Sequence, residues 1–225
     1  MKSKPVILHT DDKTNYREFT QEDFARLGID VESFSTSEEA LEAAKQKTLP
    51  NEPYYDAVLA DYDTQSNMDG GQLIAALVKS QLDGNPLVKE ILVLSSSAVR
   101  FQLINGLKNA LIAEGLNERQ VENFIGTIQI FGKLEERRLA ELYIALHTLH
   151  PDETKEITRA DMVQWAGFKL RDNGDVMLKS YSDLDDALAP KMRLLGNGNL
   201  TLPTIINEIN SSRIQGEGKA PGFTK

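Results

Sequence analysis

The sequence predicts an α/β fold in which helices cover both faces of a parallel sheet of five strands, followed by a smaller module. Two observations lead to this prediction. Over residues 1–150, short apolar segments alternate with longer segments of helical periodicity. After Pro151 the alternation stops, and polar residues flank the proline as they do at domain boundaries. We therefore expect one α/β domain at 1–150 and a separate, uncharacterised module at 151–225.

The predicted strands are short apolar runs, and each of them is followed by polar residues. They are "PVILHT", "IDVESFS", "YDAVLAD", "KEILVLSSS" and "TIQIFGK". The segments that follow them have helical apolar spacing: "NYREFTQEDFARLG", "TSEEALEAAKQK", "GGQLIAALVKSQL", "VRFQLINGLKNALIAEG", "ERQVENFIG" and "LEERRLAELYIALHTLH". Parallel strands joined by helices make right-handed crossovers, so ligands are expected beyond the C-terminal ends of the strands.

The composition excludes several classes of protein. The 225 residues include no cysteine, which excludes disulfides, thiolate metal sites and cysteine nucleophiles. No apolar run reaches 18 residues, and the apolar stretch near the N-terminus is too short for a signal peptide, so we expect a cytoplasmic protein without a membrane span. The net charge is −9 and neither predicted part has a basic excess, which argues against nucleic acid as a partner.

Polar residues with complementary chemistry follow the predicted strands. Asp11 and Asp12 follow the first strand, Asp61 ends the third, Ser95 follows the fourth and Lys133 follows the fifth. Three carboxylates at one edge of a sheet raise one another's pKa unless a cation neutralises them. Oxygen ligands without His or Cys suit Mg²⁺, and the hydroxyl and the ammonium could then contact a phosphoryl group.

This set of residues closely resembles the receiver domain of two-component response regulators, over roughly residues 4–149. The resemblance rests on the acid pair, on "YDAVLAD", on the "MDG" of Met68–Gly70, on Ser95 after "ILVL" and on Lys133. It implies a flavodoxin-like fold. It also implies signalling through a phosphorelay, with a histidine kinase or a phosphotransfer protein as phosphodonor.

The resemblance assigns a role to each residue of the set. Asp61 would accept the phosphoryl group, and Ser95 and Lys133 would contact it. Asp12, Asp61 and the backbone carbonyl of Asp63 would bind Mg²⁺ directly, and Asp11 would hold a water molecule on the metal. The protein would then not be a conventional enzyme: at most it would phosphorylate itself from a phosphodonor and dephosphorylate itself.

The sequence also departs from the family pattern. The loop in "DYDTQSNMDG" is one residue longer than usual and lacks a proline, so Asp63 competes with Asp61 as acceptor, although the step from Asp56 favours Asp61. Ile130 stands where many receivers have an aromatic switch residue, and Leu134 stands where the family has a proline. These changes leave open whether phosphorylation still switches the protein.

The stretch from Ser95 to Lys133 is longer than usual in the family by about four helical turns, which predicts a helical insertion around residues 110–126. His9 lies inside the first predicted strand, where core packing is the simpler interpretation. His147, near a helix end, is interpreted as a capping residue.

The module at 151–225 matches no effector domain. A short helix contains Trp165, and "FKLRDNGDVMLKSY" favours a β-hairpin with a type I′ turn at Asn173–Gly174. A helix interrupted at Pro190, a helix from about Pro203 and a flexible Gly/Pro-rich tail follow. Docking on the first domain, or dimerisation, should bury four side chains of this module. They are Trp165, Phe168, Leu194 and Leu195.

We therefore interpret the chain as a response regulator that signals to an unknown partner protein. Two alternatives stay open: a DNA-binding transcriptional regulator, which the sparse basic residues do not favour, and an adaptor that works without phosphorylation. A homodimer also stays open. The "GNGN" segment lacks the Lys-Ser/Thr of a phosphate-binding loop and is interpreted as a turn.

Overall fold

The chain contains a single five-stranded parallel sheet in its described part. The structure, a computed structural model, describes residues 4–48, 53–64, 66–95, 100–133, 135–180 and 182–217. The strands are β1 (Val6–Thr10), β2 (Asp30–Phe34), β3 (Tyr55–Asp61), β4 (Val88–Ser95) and β5 (Gln129–Gly132). They are arranged in the order β2-β1-β3-β4-β5, with every pair parallel. The predicted five-stranded parallel sheet is confirmed.

Helices connect the strands as the apolar spacing predicted. They are α1 (Thr14–Arg26), α2 (Ser37–Lys47), α3 (Gly70–Leu82), α4 (Arg100–Ala113), α5 (Glu118–Thr127) and α6 (Arg137–Leu149). Side-chain caps fix several N-termini: Thr36 accepts from the N–H of Glu39, and Asp69 and Asn117 each form a capping box. Two helices, α4 and α5, lie between β4 and β5, and α5 overlaps the region around residues 110–126 for which a helical insertion was expected.

The strand register brings the C-terminal strand ends to one edge. Thr10 pairs with Ala60, Asp61 with Leu94, and Ser95 with Gly132. The order of strands reverses at β1, which has β2 on one side and β3 on the other. In doubly wound sheets, ligands bind in the crevice at such a reversal.

Each face of the sheet carries its own apolar cluster, because alternate side chains of a strand point to opposite faces. Leu8 and Ile130 belong to the cluster under α2 to α5, whereas Ile7 and Phe131 belong to the cluster under α1 and α6. Phe131 therefore points away from the face of Ile130, as the alternation predicted.

The apolar cluster under α1 and α6 continues into the C-terminal part of the chain. The helices there are α7 (Pro151–Thr154), α8 (Arg159–Trp165), α9 (Asp183–Gly196) and α10 (Leu202–Glu217). The cluster joins Leu142 of α6 to Met162, Leu184 and Ile205 of the later helices. Burial of this kind stabilises by about 25 cal/mol per Å² of apolar surface removed from water. The C-terminal helices are thus packed on α6 and share its core.

Three expectations for this part need correction. The hairpin is reduced to one antiparallel bridge between Leu170 and Val176. Its loop has three residues rather than a type I′ pair, because the N–H of Arg171 bonds the carbonyl of Asp175, and Gly174 takes the positive φ of 84°.

The other two corrections concern α9. The helix continues through Pro190, because Leu188 before the proline and Met192 and Leu195 after it all pack on the same core. Of the four residues expected to be buried, Trp165 is 8% exposed, and Phe168 and Leu195 pack at the edge of the cluster. Leu194, however, is 44% exposed, because the uninterrupted helix turns it outward. The predicted tail, 218–225, lies outside the described residues.

Among the helices of the described ranges, none combines the length and the apolar character needed to cross a bilayer.

Candidate functional site: carboxylates and a lysine at the sheet edge

Three carboxylates meet where the strand order reverses. Asp11 and Asp12 follow β1 and Asp61 ends β3, and ligand atoms of all three lie within 4.8 Å of one another. Asp11 and Asp61 are buried, at 1% and 0% exposure, while Asp12 is half-buried. The parallel pairing of β1 with β3 brings these residues together, although they are about fifty residues apart in the sequence.

Lys133 is bound to two of these carboxylates. Its Nζ lies 2.6 Å from Asp61 Oδ2 and 2.9 Å from Asp11 Oδ2, and 4.8 Å from the centroid of the Tyr16 ring. Its backbone N–H donates to the carbonyl of Ser95 at 2.9 Å, which extends the pairing of β5 with β4 by one residue. The lysine is therefore fixed at both its backbone and its ammonium group.

The cluster has an excess of negative charge. Burial raises the pKa of Asp61, Lys133 opposes this rise, and the neighbouring Asp11 adds to it. Burial alone would lower the pKa of Lys133, but its hydrogen bonds to Asp61 and Asp11 outweigh burial and raise that pKa. Lys133 is thus held as an ammonium ion, and one positive charge faces three carboxyl groups.

The donor set fits a small divalent cation. Asp12 Oδ1 is buried and has no hydrogen-bond partner among the described residues. The oxygens of Asp11 are already engaged, because Oδ1 accepts from the N–H of Lys13 at 2.9 Å and Oδ2 binds Lys133. An unpaired buried carboxylate oxygen is costly unless a cation binds it, and carboxylate oxygens are the ligands that Mg²⁺ prefers.

Ser95 lies at the same edge, but its hydroxyl has a partner that the sequence did not indicate. Ser95 Oγ donates to Asp63 Oδ2 at 3.2 Å, and the N–H of Asp63 donates to Asp61 Oδ1 at 3.2 Å. Asp63 itself is exposed. Ser95 is 5% exposed. This contact depends on the path of the longer loop, which the strand pattern does not determine.

Helix α1 contributes two residues that sequence reasoning missed. Arg17 Nη1 donates to the backbone carbonyl of Asp11 at 2.6 Å, and Tyr16 covers Lys133. A signal for both was available, since α1 begins only two residues after the acid pair and its first turn must lie beside the strand end. Tyr16, Lys133, Arg137, Arg138 and Asp185 line a small cavity of about 120 Å³ on this side.

The "MDG" segment has a structural function in this site. Asp69 caps α3, and the N–H of Gly70 donates to the carbonyl of Tyr62 at 3.3 Å. A Cβ atom at residue 70 would lie 2.7 Å from Tyr62 Cα and in collision with the carbonyl oxygen of Asp61. Only glycine allows the start of α3 to approach the backbone of Asp61 so closely.

The aromatic side chain that packs near α4 is that of Tyr62, the residue directly after β3, and not one from β5. Ile130 is buried in the cluster of the α4 face, while the Phe131 ring lies 5.6 Å from the Tyr143 ring on the other face. Tyr62, next to Asp61, packs against α3 and α4 instead. Leu134 lies outside the described residues.

His9 has the structural surroundings that the sequence suggested, whereas His147 does not. His9 is 1% exposed, and its Nδ1 lies 3.1 Å from Ser33 Oγ; burial lowers its pKa to about 3. His147 Nε2 lies 3.1 Å from the carbonyl of Ile157, which stands after α7 rather than at the end of its own helix. His147 therefore links two helical segments and does not cap α6.

Comparison with known proteins gives similarity in fold. No protein-family model matches the sequence, and no curated protein matches it significantly. Among solved structures, the chemotaxis protein CheY4 of Vibrio cholerae is 20% identical, with 55% of this chain and 98% of that chain covered and a TM-score of 0.37. The Francisella response regulator 1452 receiver domain is 19% identical, with coverages of 64% and 98% and a TM-score of 0.43.

A third match is the signal receiver domain of a putative Luxo repressor protein from Vibrio parahaemolyticus. It is 13% identical, with 69% of this chain and 100% of that chain covered and a TM-score of 0.45. The strand order β2-β1-β3-β4-β5 of this chain is the flavodoxin-like doubly wound order. By this strand order, residues 6–149 have a flavodoxin-like, doubly wound fold, and a helical C-terminal part follows them.

Proposed function

We propose that this chain is a response regulator that accepts a phosphoryl group on Asp61 in a Mg²⁺-dependent reaction. The observation that carries the proposal is the contact of Lys133 Nζ with Asp61 Oδ2 at 2.6 Å, beside an unpaired oxygen of Asp12. Phosphoryl transfer to an aspartate uses a carboxylate as nucleophile, an ammonium group that contacts the phosphoryl oxygens, and a carboxylate oxygen that is available to bind Mg²⁺.

Asp61 is the better acceptor of the two candidates. It ends β3 at the strand reversal, it is fully buried, and it touches Lys133. Asp63 is exposed, and its carboxylate accepts from Ser95.

The reaction forms one bond and breaks one bond. A carboxylate oxygen of Asp61 attacks the phosphorus of the donor, and the bond from phosphorus to the donor's nitrogen or acyl oxygen breaks. The electron pair leaves with the donor, and Asp61 becomes an acyl phosphate. Lys133 moves its ammonium group from the carboxylate to a phosphoryl oxygen, and Ser95 donates its O–H to another after releasing Asp63.

The acidic residues would hold the cation. Asp12 and Asp61, with the backbone carbonyl of Asp63, are the proposed direct ligands, and Asp11 would hold a metal-bound water. When bound, Mg²⁺ neutralises charge on the phosphoryl oxygens.

Proposed partners follow from this chemistry. The phosphodonor is a histidine kinase or a phosphotransfer protein, and the output is contact with another protein. Two alternatives remain: an adaptor of the same fold that binds its partner without phosphate, and a DNA-binding transcriptional regulator.

A mass spectrum of the intact protein, after incubation with Mg²⁺ and acetyl phosphate, tests the proposal. We expect an adduct of one phosphoryl group that maps to Asp61 and is absent from Asp61→Asn. Asp63→Asn is the matched control, since it changes the other candidate by the same atoms, and it should still be modified. An unmodified wild type would favour the adaptor, and an adduct on Asp63 would overturn the assignment of Asp61.

A further inference from the structure

The loop that carries Lys133 is joined to the C-terminal part of the chain by a buried ion pair. Arg159, the first residue of α8, binds Glu136 through two hydrogen bonds: Nε to Oε2 at 3.0 Å and Nη2 to Oε1. Glu136 is 3% exposed and Arg159 is 6% exposed. Two parallel bonds between a guanidinium and a carboxylate fix both groups in orientation as well as in distance.

Glu136 also holds the residue before Lys133. The N–H of Gly132 donates to Glu136 Oε2 at 2.9 Å, and the N–H of Glu136 donates to the carbonyl of Gly132 at 2.8 Å. The same carboxylate oxygen therefore receives a hydrogen bond from Gly132 and one from Arg159. Because Lys133 directly follows Gly132, its backbone cannot shift without disturbing Glu136.

Arg159 is anchored on its other side as well. Its Nη1 donates to the carbonyl of Gly174 at 2.9 Å, in the loop of the Leu170–Val176 bridge. Thr158 and Asp161 form a capping box that fixes the start of α8. A displacement of the guanidinium would therefore reach both α8 and the loop around Gly174.

We infer that Arg159 is a positioning residue for Lys133, acting through Glu136, and that the C-terminal helices thereby respond to a phosphoryl group on Asp61. This inference rests on the proposed function. In this inference the backbone around Lys133 shifts when the ammonium group exchanges Asp61 for a phosphoryl oxygen, and Glu136 shifts with it because its carboxylate is bound to the N–H of Gly132. Arg159 follows Glu136, because separating the two buried charges of this pair is strongly unfavourable.

The coupling is reciprocal. If a phosphoryl group on Asp61 changes the free energy of the contact between Glu136 and Arg159, then losing that contact must change the affinity of the site for the phosphoryl group by the corresponding factor. Both directions can be measured on the full chain with beryllofluoride and Mg²⁺, a non-hydrolysable substitute for the phosphoryl group.

The chain supplies a matched control. Arg138 Nε lies 2.7 Å from Asp185 Oδ1, so this second ion pair also joins α6 to the C-terminal part, at the start of α9. It is about one-third exposed on each side. Asp185→Asn removes its charge without touching the hydrogen bonds of Gly132, Glu136 or Arg159.

The experiment measures beryllofluoride affinity in the presence of saturating Mg²⁺, and Mg²⁺ affinity alone, for the wild type and three variants. Glu136→Gln and Arg159→Lys should weaken beryllofluoride binding about 10-fold, within the usual range of coupling factors. Both should leave Mg²⁺ affinity unchanged, because the acidic ligands are intact. Asp185→Asn should change neither constant by more than about 2-fold. A merely structural role would lower stability without separating the two affinities.

Hydrogen exchange of the backbone amides supplies the reverse measurement. Beryllofluoride with Mg²⁺ should change the exchange of backbone amides at residues 159–177, and Glu136→Gln should abolish that change. If beryllofluoride binds and those amides are unaffected, the inference is wrong while the proposed function stands. Equal affinities in wild type, Glu136→Gln and Arg159→Lys would also overturn it. If the wild type does not bind beryllofluoride, the proposed function fails and the inference falls with it.

Discussion

The hydroxyl of Tyr62 occupies the space where a side chain at Gly106 would begin. A Cβ atom at residue 106 would lie under 3.0 Å from Tyr62 Oη, and one at Gly71 would lie 2.9 Å from the same ring. The residue after Asp61 is therefore inserted between α3 and α4, and both helices present a glycine to it. Any movement of the Asp61 backbone changes the packing of α4 through this ring.

The contact of Tyr62 with Gly106 predicts a context-dependent effect of alanine. In the wild type, Gly106→Ala should destabilise the protein by about 1–3 kcal/mol, because the new methyl group overlaps the hydroxyl. In a Tyr62→Phe background the same change should stabilise it by up to about 1 kcal/mol, since alanine is the better helix former. Urea unfolding of the four proteins in the cycle measures this. Additive effects of the two substitutions would contradict the contact.

The approach of Gly70 to Asp61 predicts that the site is sensitive to one methyl group. Gly70→Ala should impair folding or displace the Asp61 backbone, because its Cβ meets backbone atoms that cannot rotate away. Mg²⁺ binding, followed by calorimetry, should be lost or weakened more than 10-fold. Gly126→Ala in α5 is the control, since nothing lies within 4 Å of its Cβ, and it should bind Mg²⁺ normally. A Gly70→Ala protein with unchanged Mg²⁺ affinity would disprove this account.

The unpaired oxygen of Asp12 predicts how Mg²⁺ and stability are connected. Mg²⁺ at 100 times its dissociation constant should stabilise the wild type by about 2.7 kcal/mol, because it binds the folded state. Asp12→Asn should abolish that gain, and without Mg²⁺ it should be at least as stable as the wild type because one of three crowded charges is removed. Thermal unfolding with and without Mg²⁺ measures both effects. Asp30→Asn is the control: Asp30 is exposed and lies at the start of β2, at the opposite end of the sheet from the site, so this variant should keep the full stabilisation by Mg²⁺.

The buried carboxyl group of Glu141, in α6, predicts that the stability of the protein depends on pH. It is fully buried, and burial raises its pKa to about 8 against the attraction of Arg137. Because the folded-state pKa lies above the unfolded value of 4.5, its contribution to stability is complete below pH 4.5 and is lost as the pH rises to about 8. Within that window the loss is at most about 1.4 kcal/mol for each pH unit.

Glu141→Gln should therefore lose less stability than the wild type between pH 5 and pH 9. Urea unfolding at both values gives the comparison. Glu153→Gln, an exposed glutamate of α7, should follow the wild type. Parallel curves for wild type and Glu141→Gln would show that the buried carboxyl does not titrate in this range.

The strand ends could be predicted from sequence because they follow from two local rules. Apolar runs of strand length mark β1, β3, β4 and β5, and parallel pairing brings the residues after them to one edge. This is sufficient to group Asp11 and Asp61 with Lys133, whatever the loops do. The direct contacts of Lys133 with both carboxylates agree with that grouping.

Contacts between loops could not be predicted in the same way. The bonds of Ser95 with Asp63 and of Glu136 with Arg159 depend on loop paths and on docking across the chain, and neither has a periodic signal. The exposure of Leu194 depends on whether Pro190 ends its helix, and core packing on both sides of the proline, by Leu188 and Met192, accompanies the continued helix. Sequence periodicity determines which residues belong to an element, and long-range packing determines which of them meet.

The apolar cluster that α6 shares with the C-terminal helices has a consequence for any partner that would bind this face. The segment that covers α6 is part of the same chain, so it competes as a tethered ligand whose effective concentration is commonly in the millimolar range. An external protein that binds the same face of α6 must compete with this tethered segment. Access to α6 therefore requires that the C-terminal helices first be released. The affinity measured for such a partner would equal its intrinsic affinity multiplied by the fraction of molecules in which these helices are released.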